Sequence, residues 1–171
     1  MTDGLVLPPG AGGANGTTGM TLKVGAGRSR VWSAFESVVQ PGFDVGAHVH
    51  AEAEELFYVL EGELDLLAFE PAERTPRDWR SWEGADGAKV TRGGPGSVMF
   101  VPPDCPHAFA NPGTAPARML FLVTPTGHEI YLEELAELLG DGPPDNVAIA
   151  RLRARYDIAQ LTPMVPGRPP G

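Results

Sequence analysis

Of the four histidines in the chain, three are spaced so that they could share one task. His48 and His50 lie two residues apart, so in an extended segment both imidazoles leave the same face. Glu55 opens the run Glu55-Leu-Phe-Tyr-Val, which reads as a strand. The odd offset from His50 to Glu55 predicts a bend or bulge over 51–54 that returns the carboxylate to the histidines' side. His107 lies far along the chain, just past a strand-like run and the Pro102-Pro103 turn. Three imidazoles and one carboxylate suit a single divalent transition ion: Fe, Ni, Mn or Co, with zinc as a further candidate. Each group alone has an ordinary explanation, such as packing or surface exposure. Buried together they would be costly without a common partner. His128 matches no ligand spacing and is expected to be exposed at the start of a helix.

Short apolar runs punctuated by Gly and Pro supply the elements that must position these groups. Strands are predicted over 21–24, 29–39, 56–60, 63–69, 89–92, 97–101 and 117–124, a pattern of closely spaced strands that suggests a sandwich or barrel. Residues 70–86 break it; Trp79 and Trp82 would pin this excursion to the barrel. A helix is predicted over 128–139, capped by Thr126, with Ile130, Leu135, Leu138 and Leu139 on its apolar side and Gly140 ending it. A second begins near Asp145, after Pro143-Pro144, and runs to about Tyr156, with Val147, Ile149 and Leu152 able to pack on the barrel. The domain plan is a flexible arm over 1–19, a β-barrel over 20–125, helices over 126–158 that pack on it, and a flexible tail over 159–171.

Composition narrows the function classes. The 171 residues fit one domain. Glycine (22) and proline (18) favour turns over long helices. A formal charge of −9, with no Lys/Arg cluster, argues against nucleic acid as a partner. No apolar stretch is long enough for a membrane span, and no secretory leader is evident, so a soluble cytoplasmic protein is expected. The single cysteine, Cys105, fits a reducing compartment and reads as a small buried thiol.

The metal-ligand pattern resembles the cupin superfamily. Its first motif runs Gly, five residues, His-x-His, four residues, Glu, six residues, Gly; Gly42, His48, His50, Glu55 and Gly62 meet it. Its second runs Gly, five residues, Pro-x-Gly, two residues, His, three residues, Asn; Gly96, Pro102, His107 and Asn111 meet it, with Asp104 in place of the second glycine. Asp tolerates the left-handed backbone that glycine would supply there. The resemblance implies an all-β jelly-roll barrel (a double-stranded β-helix), followed here by two short C-terminal helices. It implies that His48, His50, Glu55 and His107 are the metal ligands.

Within that superfamily the chain looks most like the single-domain, quercetinase-like (flavonol dioxygenase-like) group, on Glu55-Leu-Phe-Tyr-Val, the 101–107 turn and the terminal Tyr156-Asp157. That implies a metal-dependent dioxygenase taking a small enolic or phenolic substrate with O2, Glu55 serving also as the catalytic base. Pocket walls are expected from Phe57, Val59, Met99 and Phe109, with Ile130 and Tyr131 near the mouth; Tyr58 faces away and packs between sheets. The competing readings are a non-redox cupin isomerase or cyclase, and a non-catalytic small-molecule binder. A homodimer paired through barrel edges is expected.

Overall fold

Alternation of apolar and polar residues builds most of the fold. In the computed structural model, which describes residues 3–16, 19–76, 78–140 and 145–167, eleven strands, two α-helices and one short 3-10 turn (Trp79–Ser81) are formed. The strands are β1 (Gly13–Asn15), β2 (Met20–Val24), β3 (Ser33–Val39), β4 (His48–Val49), β5 (Glu55–Glu61), β6 (Leu64–Ala68), β7 (Thr91–Gly93), β8 (Val98–Val101), β9 (His107–Ala110), β10 (Ala117–Val123) and β11 (Ala159–Gln160). The helices α1 (His128–Leu139) and α2 (Asn146–Arg155) lie between β10 and β11.

Two antiparallel sheets form, in the orders β1-β2-β3-β10-β5-β8 and β11-β4-β9-β6-β7. Strands β5 and β10 bury every second side chain, so one face of the larger sheet turns inward. Register places Phe121 of β10 directly opposite Phe35 of β3 and Phe57 of β5, and Met99 of β8 opposite Phe57. Phe57 and Phe121 stack at 4.8 Å and Phe35 and Phe121 at 5.6 Å. This inward row carries the main core.

A second core lies on the far face of the smaller sheet. Strand β9 sends His107 and Phe109 inward, while Ala108 and Ala110 face outward with Ala47 and Leu67. Those small side chains leave room for Trp79 and Trp82, both buried, so the 70–86 excursion is pinned as expected. Trp79 donates its indole N–H to Asp44 at 2.9 Å, and Arg80 bridges Asp44 (3.0 Å) and Asp65 (3.3 Å).

Each expected strand is present with shifted ends; the run from 29 is paired only from Ser33. Helix α1 has the expected bounds, but Gly127, in a left-handed conformation, occupies the cap position. The Thr126 hydroxyl instead lies against Ser33, so Thr126 does not cap the helix. The buried stripe of α1 is Tyr131, Leu132, Leu135 and Ala136, leaving Ile130 and Leu138 exposed. In α2, Asp145 caps by accepting from Val147 and Ala148, and Val147 is exposed. Tyr58 does face away from Phe57, but onto solvent rather than another sheet.

Both chain ends contribute strands. Within the expected arm, β1 pairs with β2 and Asn15 is buried, donating to the Glu129 carbonyl. Within the expected tail, β11 pairs with β4, aligning Gln160 with His48. Farther on, Ala47 donates to the Thr162 hydroxyl at 2.8 Å. At Gly46, φ is +73° and a Cβ would meet the Thr162 carbonyl at 2.5 Å, so only glycine lets the tail cross there. The remainder of the expected arm and tail at 1–2, 17–18 and 168–171, and the Pro143-Pro144 lead-in, lie outside the described residues. Among the described residues no helix is long and apolar enough to cross a membrane.

Candidate metal centre and cavity

Both sheets contribute to the centre. His48 on β4 aligns directly with His107 on β9, and Glu55 starts β5 of the facing sheet. The chain bends at residues 51–52 between His50 and β5, as the odd spacing required. Asp104 takes the left-handed conformation (φ 63°) expected for it, and its N–H donates to the His50 carbonyl at 2.7 Å. That hydrogen bond fastens the turn before His107 to the first pair of histidines.

His48, His50, Glu55 and His107 are all buried, and one candidate ligand atom from each lies within 4.8 Å of the others. Every one of the three rings has its Nδ1 against a backbone carbonyl: Gly46 (2.8 Å), Asp157 (3.1 Å) and Cys105 (3.0 Å). A carbonyl only accepts, so Nδ1 carries the proton and the Nε2 lone pair is free in the neutral ring. His50 Nε2 lies 3.2 Å from one Glu55 oxygen and His107 Nε2 lies 2.8 Å from the other. Despite these distances, His50 Nε2, His107 Nε2 and Glu55 Oε2 are buried without a hydrogen bond of acceptable geometry. Ligand atoms each about 2.1 Å from one ion would stand about 3–3.5 Å from their neighbours. The spacing and the unsatisfied atoms both fit a cation held in common, and the donor set is one that divalent transition ions accept.

Charge and burial act in opposition here. Burial, and then His107, drive His48 well below the ordinary imidazole value. Burial opposes charge on His50, but the adjacent Glu55 carboxylate raises it. Burial would also raise Glu55, yet His107 and His50 hold it well below the usual carboxylate range, so it is an anion.

The centre opens onto a cavity of about 560 Å³, a size suited to a small organic molecule. His48, His50 and Glu55 reach its wall, together with Phe57, Phe109 and Phe121. Of the expected pocket residues, Phe57 and Phe109 line it. Val59 and Met99 do not: both are packed in the core. Tyr131 lines the cavity, whereas Ile130 is exposed. Cys105 is half-buried, and burial raises its thiol pKa.

His128 is the main correction. It is half-buried and lines the cavity instead of facing outward, because its ring packs against Phe35, Phe121 and Tyr131. Burial pushes its pKa down to about 4. Arg153 also lines the cavity, a position the sequence reasoning missed. A signal existed: with Ile149, Leu152 and Tyr156 it follows the helical spacing of the apolar face, so its charge had to point inward.

Among curated proteins none matches the chain in sequence. Among solved structures, a Thermus thermophilus protein is 21% identical over 66% of this chain and 89% of its own, with a TM-score of 0.47. A sugar phosphate isomerase from a cupin superfamily, from Silicibacter pomeroyi, is 23% identical over 63% and 60%, TM-score 0.45. A polyketide cyclase from Streptomyces resistomycificus is 26% identical over 56% and 55%, TM-score 0.41. The sequence model of the cupin family matches residues 17–138, well over half of the chain, and the chain belongs to that family.

Proposed function

We propose that the chain is a metal-dependent cupin enzyme in which His48, His50, Glu55 and His107 hold one divalent transition ion, Fe, Ni, Mn or Co, with zinc as a further candidate. We propose further that it is a quercetinase-like dioxygenase acting with O2 on a small enolic or phenolic molecule. The observation that carries the metal reading is the set of three Nδ1–carbonyl contacts, which leave three Nε2 lone pairs free at one buried cluster, two of them against the Glu55 carboxylate. When bound, such an ion supplies Lewis acidity toward a substrate oxygen.

The chain's own residues do the rest. Phe57, Phe109 and Phe121 offer aromatic walls that exclude water and pack on a ring-shaped substrate. Glu55, buried and ionised beside the histidines, takes the proton from the substrate hydroxyl at its carboxylate oxygen. The aromatic lining and the ionised carboxylate at the centre favour an enolic or phenolic substrate.

The test is elemental analysis of protein purified without chelator, set against His50→Ala, followed by an oxygen electrode with enolic and phenolic candidates. Near-stoichiometric Fe, Ni, Mn or Co that falls sharply in the variant, with substrate-dependent oxygen uptake, is the expected result. Turnover without oxygen uptake would replace the dioxygenase with an isomerase or cyclase, and saturable binding without turnover would leave a binding protein. No metal in either protein after reloading would end the metal reading.

A further inference from the structure

Arg153 is 2% exposed, so its guanidinium is removed from water. Its three hydrogen-bond partners are the Tyr131 hydroxyl (3.1 Å), the Val45 carbonyl (3.1 Å) and the Met164 sulfur (3.6 Å). All are neutral. No acidic side chain among the described residues pairs with it. A buried cation without a counter-ion is costly, and a guanidinium has more N–H donors than these three partners take up.

The neighbouring groups also lack acceptors. Tyr131 accepts from Arg153, and burial raises its pKa, so the phenol keeps a proton to donate. The His128 ring lies 4.9 Å from the Tyr131 ring, is neutral at pH 7, and makes no hydrogen bond within the described chain. All three line the same cavity as the metal centre. A divalent cation beside the single Glu55 carboxylate would leave the wall positive, and Arg153 adds to that charge.

Taking the cavity as the substrate site proposed above, we infer that its substrate is an apolar or aromatic molecule carrying one carboxylate, which Arg153 receives with help from Tyr131 and His128. The planar guanidinium matches a carboxylate in shape as well as charge. Arg153 is the one Lys or Arg side chain among the described residues of this wall, a count that suits a single carboxylate better than a doubly charged phosphate. The aromatic walls contributed by Phe57, Phe109 and Phe121 accept the body of the molecule.

The probes are 3-phenylpropanoate and its uncharged amide, 3-phenylpropanamide, titrated calorimetrically into metal-free and zinc-loaded protein. Zinc is redox-silent, so binding is read without turnover. The acid is expected to bind about tenfold more tightly than the amide in both forms. In Arg153→Met that preference should vanish while the amide still binds, and Arg153→Lys should restore part of it. If the methionine variant does not fold, as judged by its thermal melt, the acid–amide comparison in metal-free wild type still decides. Equal affinities, no saturable binding of the acid at millimolar concentration, or a preference that survives in Arg153→Met would overturn the inference. A preference seen only with zinc would place the carboxylate on the metal, overturning the role of Arg153 while leaving the metal reading intact. Failure to take up zinc, with the acid preference retained in metal-free protein, would do the reverse.

Discussion

The metal reading depends on the carbonyls of Gly46, Asp157 and Cys105 as much as on the imidazoles, because they fix which nitrogen of each ring faces the centre. Glu55 differs from the histidines in carrying the charge. Glu55→Gln keeps an oxygen donor of the same length but removes that charge and the base. The variant is expected to retain part of its metal and to lose at least about 100-fold in turnover, the lower range for a general base. Full activity in it, measured beside metal content, would remove Glu55 from the chemistry. His128 gives a separate prediction on stability. Its pKa is about 4 in the folded protein and 6.5 in the unfolded chain. Between those values the unfolded chain binds more protons, so the stability tied to neutral His128 is full above pH 6.5 and is lost as the pH falls toward 4. His128→Phe suits the surrounding rings and removes the titration. Urea midpoints of the metal-free proteins at pH 7 and pH 5 should show a smaller acid loss in the variant; identical losses would contradict the half-buried, neutral imidazole.

At the scale of elements, the ligand strands and the motif turns were readable because spacing alone determines which side chains share a face. His48, His50, Glu55 and His107 meet as expected, and Asp104 occupies its left-handed position. The strands at the two ends were not readable: β1 and β11 are two or three residues long, in Gly- and Pro-rich surroundings, and exist through long-range pairing. The cavity wall was readable only in part, since period-two reasoning puts Phe57, Val59 and Met99 on inward faces without saying how deep each lies. His128 departs from expectation because a helix start is usually exposed, whereas here α1 packs its first turn over the aromatic row. The 70–86 excursion gives the prediction proper to this scale. Trp79 is 1% exposed in the second core and donates to the buried Asp44. Trp79→Ala leaves a cavity over Ala108 and Ala110 and an Asp44 oxygen short of one donor. A loss of about 3–5 kcal/mol is expected from chemical denaturation. A change within error would mean that the excursion is not anchored through this side chain.

For the whole molecule, a cation at the proposed centre would also clamp the two sheets together. Glu55 belongs to the six-stranded sheet, while His48 and His107 belong to the five-stranded one. His50 is tied to the segment after α2 through the Asp157 carbonyl. A cation bound by all four joins both sheets, and the C-terminal segment is held indirectly through His50. The unfolded chain does not hold these groups together, so the binding free energy adds to the folding free energy. The stabilisation is about 2.7 kcal/mol when free metal stands at 100 times its dissociation constant. Removing metal with a chelator should therefore lower the melting temperature, and adding back the native ion should restore it. His50→Ala, whose site is broken, should show little response to either step. The imidazoles proposed as ligands must be neutral to bind, and Glu55 makes His50 hold its proton more tightly than an ordinary imidazole, so the metal-dependent part of the stability should grow as the pH rises and shrink on acidification as protons compete for Nε2. The check is a series of melts with and without chelator across pH. A wild-type melting temperature that ignores the chelator at pH 7, in protein shown to carry metal beforehand, would mean that the ion does not join the sheets, and the four residues would then need a different common partner.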